Sequence, residues 1–214
     1  MPAAYLCRMK KLLHHFCLLS LILPAHLLFS QQKECVTLQW SKHFGGSLAD
    51  AANDVVPTQD GGFVAVGYSR SNDQDVSGNF GKSDFWVVKV DSAGSLLWQK
   101  HFGGSLDDVA ASLVETSDGS LMIVGSTSSS DGQVSGNHGQ EDVWLLKLSA
   151  TGNVIWSKTF GGTQNDRAEA IRLTGDGGFI VAGYAESNDG DLTANLGDFD
   201  YWIFKLDASG NLQW

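Results

Sequence analysis

The chain has 214 residues and a formal net charge of −10, from 14 Lys and Arg against 24 Asp and Glu. Arg8, Lys10 and Lys11 lie in an opening stretch without acids, so the remainder is more acidic still and should repel polyphosphates, which speaks against nucleic-acid binding. Hydrophobic residues at 43% with 25 glycines and 3 prolines exclude a disordered chain and point to many tight turns.

In chain order, Met1–Ser30 reads as a secretory signal peptide. Its basic start precedes the mostly apolar run Leu12–Phe29, and cleavage falls at Ser30 or Gln31. The competing reading is a single membrane anchor, because the apolar run is about long enough to span a bilayer. His14, His15, Pro24 and His26 weaken such a helix. The expected location is therefore secreted, periplasmic or at the extracellular cell surface, with no membrane span after the leader is cleaved. Cys7 and Cys17 leave with it and Cys35 alone remains, so no intrachain disulfide framework forms.

After residue 36 the chain repeats. Trp40, Trp98, Trp156 and Trp214 are each 58 residues apart. Segments 41–98, 99–156 and 157–214 align without a gap, with 19 of 58 columns identical in all three. Such self-similarity means one structural unit used repeatedly. In the first copy a strand A is expected over Ala52–Thr58, closed by the hairpin turn Asp60-Gly61-Gly62. Strand B, Phe63–Ser69, is apolar at both alternating sets of positions, so both of its faces must be covered. Strand C, Phe85–Val90, is similar apart from Lys89. A turn at Ser92–Gly94 leads to strand D, Ser95–Phe102, whose end is polar. Residues 31–40 open on a strand of a preceding unit, with Thr37–Phe44 matching strand D, and the third copy stops at Trp214 inside its own strand D.

Four-stranded units apolar on both faces and strung at a fixed period suit an all-β fold of β-propeller blades, with strand A on the axis and strand D at the rim. Three blades are too few for a closed ring. The expectation is an incomplete ring, completed by further blades from the same gene or from another chain. The alternative is a β-trefoil, which closes with three units but does not account for central strands apolar on both faces.

The stretches Lys147-Leu148-Ser149-Ala150-Thr151-Gly152-Asn153-Val154-Ile155-Trp156 and Lys205-Leu206-Asp207-Ala208-Ser209-Gly210-Asn211-Leu212-Gln213-Trp214 resemble the tryptophan-docking motif of quinoprotein-like propellers. That resemblance implies that Trp40, Trp98, Trp156 and Trp214 pack against the adjacent blade, joined by Phe44, Phe102 and Phe160. The whole unit, W-x-K-x-F-G-G through D-G-G-F-x-x-x-G-Y to the closing Trp, is similar to the tandem propeller repeat of secreted bacterial surface proteins, many of them type IX secretion cargo. It covers residues 37–214 and implies fold and export rather than an activity.

The B–C loop is the first candidate for chemistry. Asp73, Asp75, Asn79 and Asp84 in copy one, and Asp189, Asp191, Asn195 and Asp200 in copy three, place oxygen atoms at alternate positions as Ca²⁺ ligands would. The competing reading is that these side chains cap turns. Copy two keeps Asp131 and Asn137 but has Gln133. B–C and D–A loops share one end of a propeller, so that end should carry an acidic face. Lys89, Lys147 and Lys205 should each pair with a recurring Asp, and His43 and His101 should be exposed. A single catalytic site would depend on residues that break the repeat near the axis, here Asp54, Glu115, Arg167, Glu169 and Arg172. These form no recognisable acid–base pair, and neither a dinucleotide fingerprint nor a G-x-S-x-G elbow is present. The favoured function is a binding or structural scaffold at the cell surface, with an unknown protein or glycan ligand and no cofactor beyond possible Ca²⁺. The alternative is a propeller enzyme, either a quinoprotein-like dehydrogenase or a glycan-active hydrolase.

Overall fold

Glycines at fixed offsets and paired apolar faces leave each copy one way to fold, as a meander of short antiparallel strands. The computed structural model describes residues 37–214. The predicted leader and Cys35 lie outside the described residues. Copy one supplies β1 (Asp50–Pro57), β2 (Phe63–Ser69), β3 (Asp84–Val90) and β4 (Leu96–Phe102). Copy two supplies β5 (Asp108–Glu115), β6 (Leu121–Thr127), β7 (Asp142–Leu148) and β8 (Val154–Phe160). Copy three supplies β9 (Asp166–Leu173), β10 (Phe179–Ala185) and β11 (Asp200–Leu206). The result is two four-stranded sheets and one three-stranded sheet, each in sequence order, as propeller blades require. The ring is open. No described residue is helical, so no described helix could cross a membrane.

The central strands of blade 2, apolar on both faces, are buried on both. Val64, Val66, Phe85 and Val87 of blade 1 pack with Leu121, Ile123, Trp144 and Leu146 of blade 2. The opposite face of blade 2, with Met122, Val124, Val143 and Leu145, packs with Phe179, Val181, Phe204 and Leu206 of blade 3. Sheets stacked face to face in this way are the arrangement that a trefoil lacks. Phe102 and Phe160 belong to these two cores, and Phe44 packs on Trp86, Val88 and Val90 at the other face of blade 1.

The tryptophans clamp the outer edges of the blades. Gly94 and Gly152 turn strand C into strand D with φ of +76° and +73°, and a Cβ there would lie 2.8 Å from the Trp40 ring and 3.1 Å from the Trp98 ring. Gly210 faces Trp156 in the same way. Each indole therefore lies on the C–D turn of the following blade, and only glycine provides both the turn and the seat. The lysine two residues on adds a bond, Lys100 Nζ to Asn153 Oδ1 at 2.9 Å and Lys158 Nζ to Asn211 Oδ1 at 2.8 Å. Trp214, expected to dock likewise, is 67% exposed.

Two expectations are corrected. Thr37–Phe44 forms no strand, since the described residues offer it no neighbouring strand C to pair with. In copy three the fourth strand is reduced to a bridge from Leu212 to Leu206 and backbone bonds of Gln213 and Trp214 with Lys205. Two of the three expected lysine pairs are present, with Lys89 Nζ 2.7 Å from Asp60 and Lys205 Nζ 2.8 Å from Asp176, whereas Lys147 makes no ion pair among the described residues.

One device recurs that strand propensity does not announce. In every strand A one residue is skipped in the ladder with strand B: Asn53 in β1, Ala111 in β5 and Glu169 in β9. A β-bulge of this kind re-aims the extra side chain. Gly67, Gly125 and Gly183 lie opposite it, where a Cβ would collide with the carbonyl oxygens of Ala51, Val109 and Arg167.

Candidate functional site

Apart from Asp75, whose carboxylate makes no hydrogen bond among the described residues, the B–C loop acids are taken up by the chain's own backbone. Asp73 Oδ1 accepts from Ser47 N at 2.8 Å, Asp189 Oδ1 from Thr163 N at 2.9 Å and Asp191 Oδ2 from Gly161 N at 3.0 Å. The backbone N–H of Asp75 donates to Gly45 O. Asn79 and Asn195 donate to Ser69 O and Ala185 O, both at 3.0 Å, and accept from Gly81 and Gly197. Asp84 and Asp200 accept from Phe80 N and Leu196 N. These bonds staple the B–C loop to itself and to the D–A loop, the work that short oxygen-bearing side chains do in turns. Among the described residues no three His, Cys, Asp or Glu side chains gather as a metal would need.

The expected acidic face is also smaller than the sequence suggests. Asp84, Asp108 and Asp166 are fully buried. Asp108 accepts from the Thr127 hydroxyl, from Ser129 Oγ at 2.9 Å and from Gly104 N at 2.8 Å. Asp84 Oδ1 has no partner and faces Asp108 across Gly103, on which a Cβ would sit 2.6 Å from one carboxylate and 2.5 Å from the other. Burial, with a smaller contribution from the charge of Asp108, pushes the Asp84 carboxyl up to about 6. Asp142 repeats the arrangement beside Asp166, with burial raising its pKa although His138 Nδ1 lies 2.8 Å away.

The residues that break the repeat meet elsewhere, in a polar cleft of about 700 Å³ where the A strands of the three blades converge. The bulges deliver Asn53, Ala111 and Glu169 to it. The ends of the B strands add Tyr68, Arg70, Ser126 and Ser128, the approaches to the C strands add Ser83 and Glu141, and Asp107 and Arg167 come from the A-strand starts. Apart from Ala168, every lining residue occupies a column that differs between copies. Columns held constant serve a need that each blade has, so variable columns converging on one cleft are where a single site can be built.

Most charges in the cleft are paired, Glu169 excepted. Arg167 Nε donates to Glu141 Oε2 at 2.6 Å, and the guanidinium lies 2.5 Å from the same carboxylate. Burial opposes the charge of Arg167, but Glu141 outweighs it and holds the pKa above its usual value. Arg70 and Lys82 lie 3.8 and 3.9 Å from Asp107, which also accepts from Ser83 Oγ at 2.5 Å. The cleft thus presents oriented donors and acceptors beside a tyrosine, with neither sign dominating. Such a lining suits a hydroxyl-rich ligand better than a polyanion.

Of the five repeat-breaking residues expected near the axis, Arg167 and Glu169 line this cleft. The other three are structural. Asp54 Oδ2 accepts from Ser112 Oγ at 2.8 Å and Leu113 N at 3.0 Å, Arg172 donates to Ser112 Oγ and Ile171 O, and Glu115 accepts from Gln59 N. His101, expected to be exposed, is 5% exposed, stacked on Trp86 and bonded through Nδ1 to Ser77 O at 2.9 Å, and burial lowers its pKa. Sequence reasoning missed Tyr68, Arg70 and Glu141, and counted Asp107 only among the acids of the loop face. The recurring glycine inside an otherwise apolar strand B was the available signal of a bulge.

No family model matches this chain. The regulatory protein FlaEY of Caulobacter vibrioides is 27% identical over 179 residues, which cover 78% of this chain. The chain spans only 18% of that protein's length. Among solved structures, two single-residue variants of the Synechocystis apocarotenoid oxygenase are 16% and 15% identical, at a TM-score of 0.38. A chimera titled ACO/RPE65 is 16% identical at the same score. Each match covers 74% of this chain and 36% of the other.

Proposed function

We propose that the protein is a secreted propeller-blade scaffold at the cell surface, and that it binds a polar, hydroxyl-rich ligand of the glycan class in the axial cleft. The constant columns build and clamp the blades, while the cleft is lined almost wholly by residues that differ between copies. That division carries the reading. Paired guanidinium and carboxylate groups offer the fixed donors and acceptors that sugar hydroxyls use, and Tyr68 supplies an aromatic face. The basic and apolar leader, Met1–Ser30, supports export.

The test is a glycan array followed by titration calorimetry on the best oligosaccharide, comparing the native protein with Arg167→Ala. Arg167→Ala leaves the Glu141 carboxylate, 12% exposed, without its partner, so the variant should melt somewhat lower and, titrated at a temperature where both proteins are folded, bind about tenfold or more weakly, as loss of a charged hydrogen bond implies. No binding to any glycan, or equal binding by the variant, would overturn the reading. Expression in a bacterial host and N-terminal sequencing of the exported product tests the leader, with cleavage expected at Ser30 or Gln31.

A further inference from the structure

The axial cleft holds one charge that the fold does not use. Its three bulges stand at a single column of the repeat, and the side chains they deliver meet different fates. Asn53 is engaged by the next blade, its Nδ2 donating to Ala110 O at 2.7 Å. Ala111 carries no polar side-chain group. Glu169 is exposed, and among the described residues its carboxylate meets neither a hydrogen-bond donor nor a cation. The cations of the cleft have other partners, since Arg167 is held by Glu141 while Arg70 and Lys82 lie beside Asp107. The bulge also fixes where this carboxylate starts from. Gly183 lies opposite, where a Cβ would be 1.9 Å from Arg167 O, so only a residue without a side chain lets β10 approach β9 there.

A carboxylate placed in this way selects by charge. A metal ion needs several such groups, and among the described residues no three His, Cys, Asp or Glu side chains gather. An ammonium group needs fewer, because its N–H donors are met by one carboxylate together with neutral oxygens. The cleft offers those oxygens on the hydroxyls of Ser126 and Ser128. Tyr68 adds an aromatic face, to which a cation is also attracted. The net charge of −10 favours the approach of a cationic ligand over an anionic one.

We propose that Glu169 is the specificity-determining residue of the axial cleft, and that the glycan it selects carries a free, protonated amine, as an oligosaccharide of unacetylated amino sugars does. The inference rests on the glycan reading above and adds to it the class of sugar. The hydroxyls of the ligand fall to the paired guanidinium and carboxylate groups, and its amine falls to Glu169.

The experiment is titration calorimetry with two probes of equal length, a chitosan hexamer with free amines and its fully N-acetylated counterpart, at a pH where the amines are protonated. The proteins are the native chain, Glu169→Gln and Asp75→Asn. Glu169→Gln removes the charge of an exposed side chain and keeps its shape, so its circular-dichroism spectrum should be that of the native sheets. Asp75→Asn makes the same change of net charge on the B–C loop, outside the cleft. The native protein should bind the free-amine hexamer about tenfold more tightly than the acetylated one, as a hydrogen bond between charged groups implies. That preference should vanish in Glu169→Gln and persist in Asp75→Asn. Equal binding of both hexamers by the native protein, a preference that survives Glu169→Gln, or one lost in Asp75→Asn as well would overturn the proposal and leave the glycan reading standing. Binding of neither hexamer would overturn it too, and the glycan array then decides separately whether the glycan reading falls with it.

Discussion

Asp84 concentrates the conflict between sequence chemistry and burial. Its carboxyl titrates near 6 in the fold against about 3.9 in an unfolded chain, so the folded state binds the proton more readily. The resulting stabilisation is present in full below the unfolded value and is lost as pH rises through 6, leaving a buried charge opposite Asp108 at pH 7. Asp84→Asn keeps an acceptor for Phe80 N and offers Asp108 a donor. It should raise the melting temperature at pH 7 by several degrees, on the order of 2 kcal/mol, and flatten the decline of stability between about pH 4 and 7. Thermal unfolding by circular dichroism at each pH measures both effects. Asp60 acts in the opposite sense, because the Lys89 ammonium holds its carboxyl well below the usual range and that contribution fades as pH falls. The tryptophans rank by what they touch. Trp98→Ala removes the clamp on Gly152 and should cost about 3 kcal/mol in urea unfolding, whereas Trp214→Ala should change stability by less than about 0.5 kcal/mol.

Strands compared between copies expose an unfinished hydrogen bond. Trp86 Nε1 in β3 donates to Gln99 Oε1 in β4 at 2.9 Å, and Gln99 Nε2 donates to Ser77 Oγ at 2.9 Å. In β7 and β8 the equivalents are Trp144 and Ser157, and the buried Trp144 N–H has no partner. Ser157→Gln should supply it and meet Ser135, the counterpart of Ser77, raising stability by about 1 kcal/mol. Denaturant unfolding of the variant against the native chain checks this. Elements were legible because their signals are local. β2 matches the expected Phe63–Ser69, and β1 and β4 differ from expectation by one or two residues at their ends. The A-strand bulge was less legible, since nothing in Asn53, Ala111 or Glu169 marks a skipped residue and the cue lies in the glycine on the neighbouring strand. His101 was misjudged because a polar residue late in strand D looked solvent-facing. Only the stacking of Trp86 over it shows that the position is covered.

At the scale of the whole molecule, the loops hold the blade ends together through carboxylate-to-amide bonds that need no cation. The melting temperature should therefore be the same in EDTA, in buffer and with added Ca²⁺, because a ligand that binds the folded state would raise it. Differential scanning calorimetry in the three conditions decides the matter. The sequence by itself determined the blade: a fixed period, strands apolar on both faces and a glycine under each indole specify one unit and the way it stacks on its copy, all through interactions that recur at constant spacing. Only the tertiary structure decided which acids are buried and which polar residues meet. Asp84 and Asp108 are 24 positions apart, and Tyr68, Asp107, Glu141 and Arg167 come from three copies. Their juxtaposition depends on how the sheets are rotated about a common axis, and residue spacing within a single copy carries no record of that rotation.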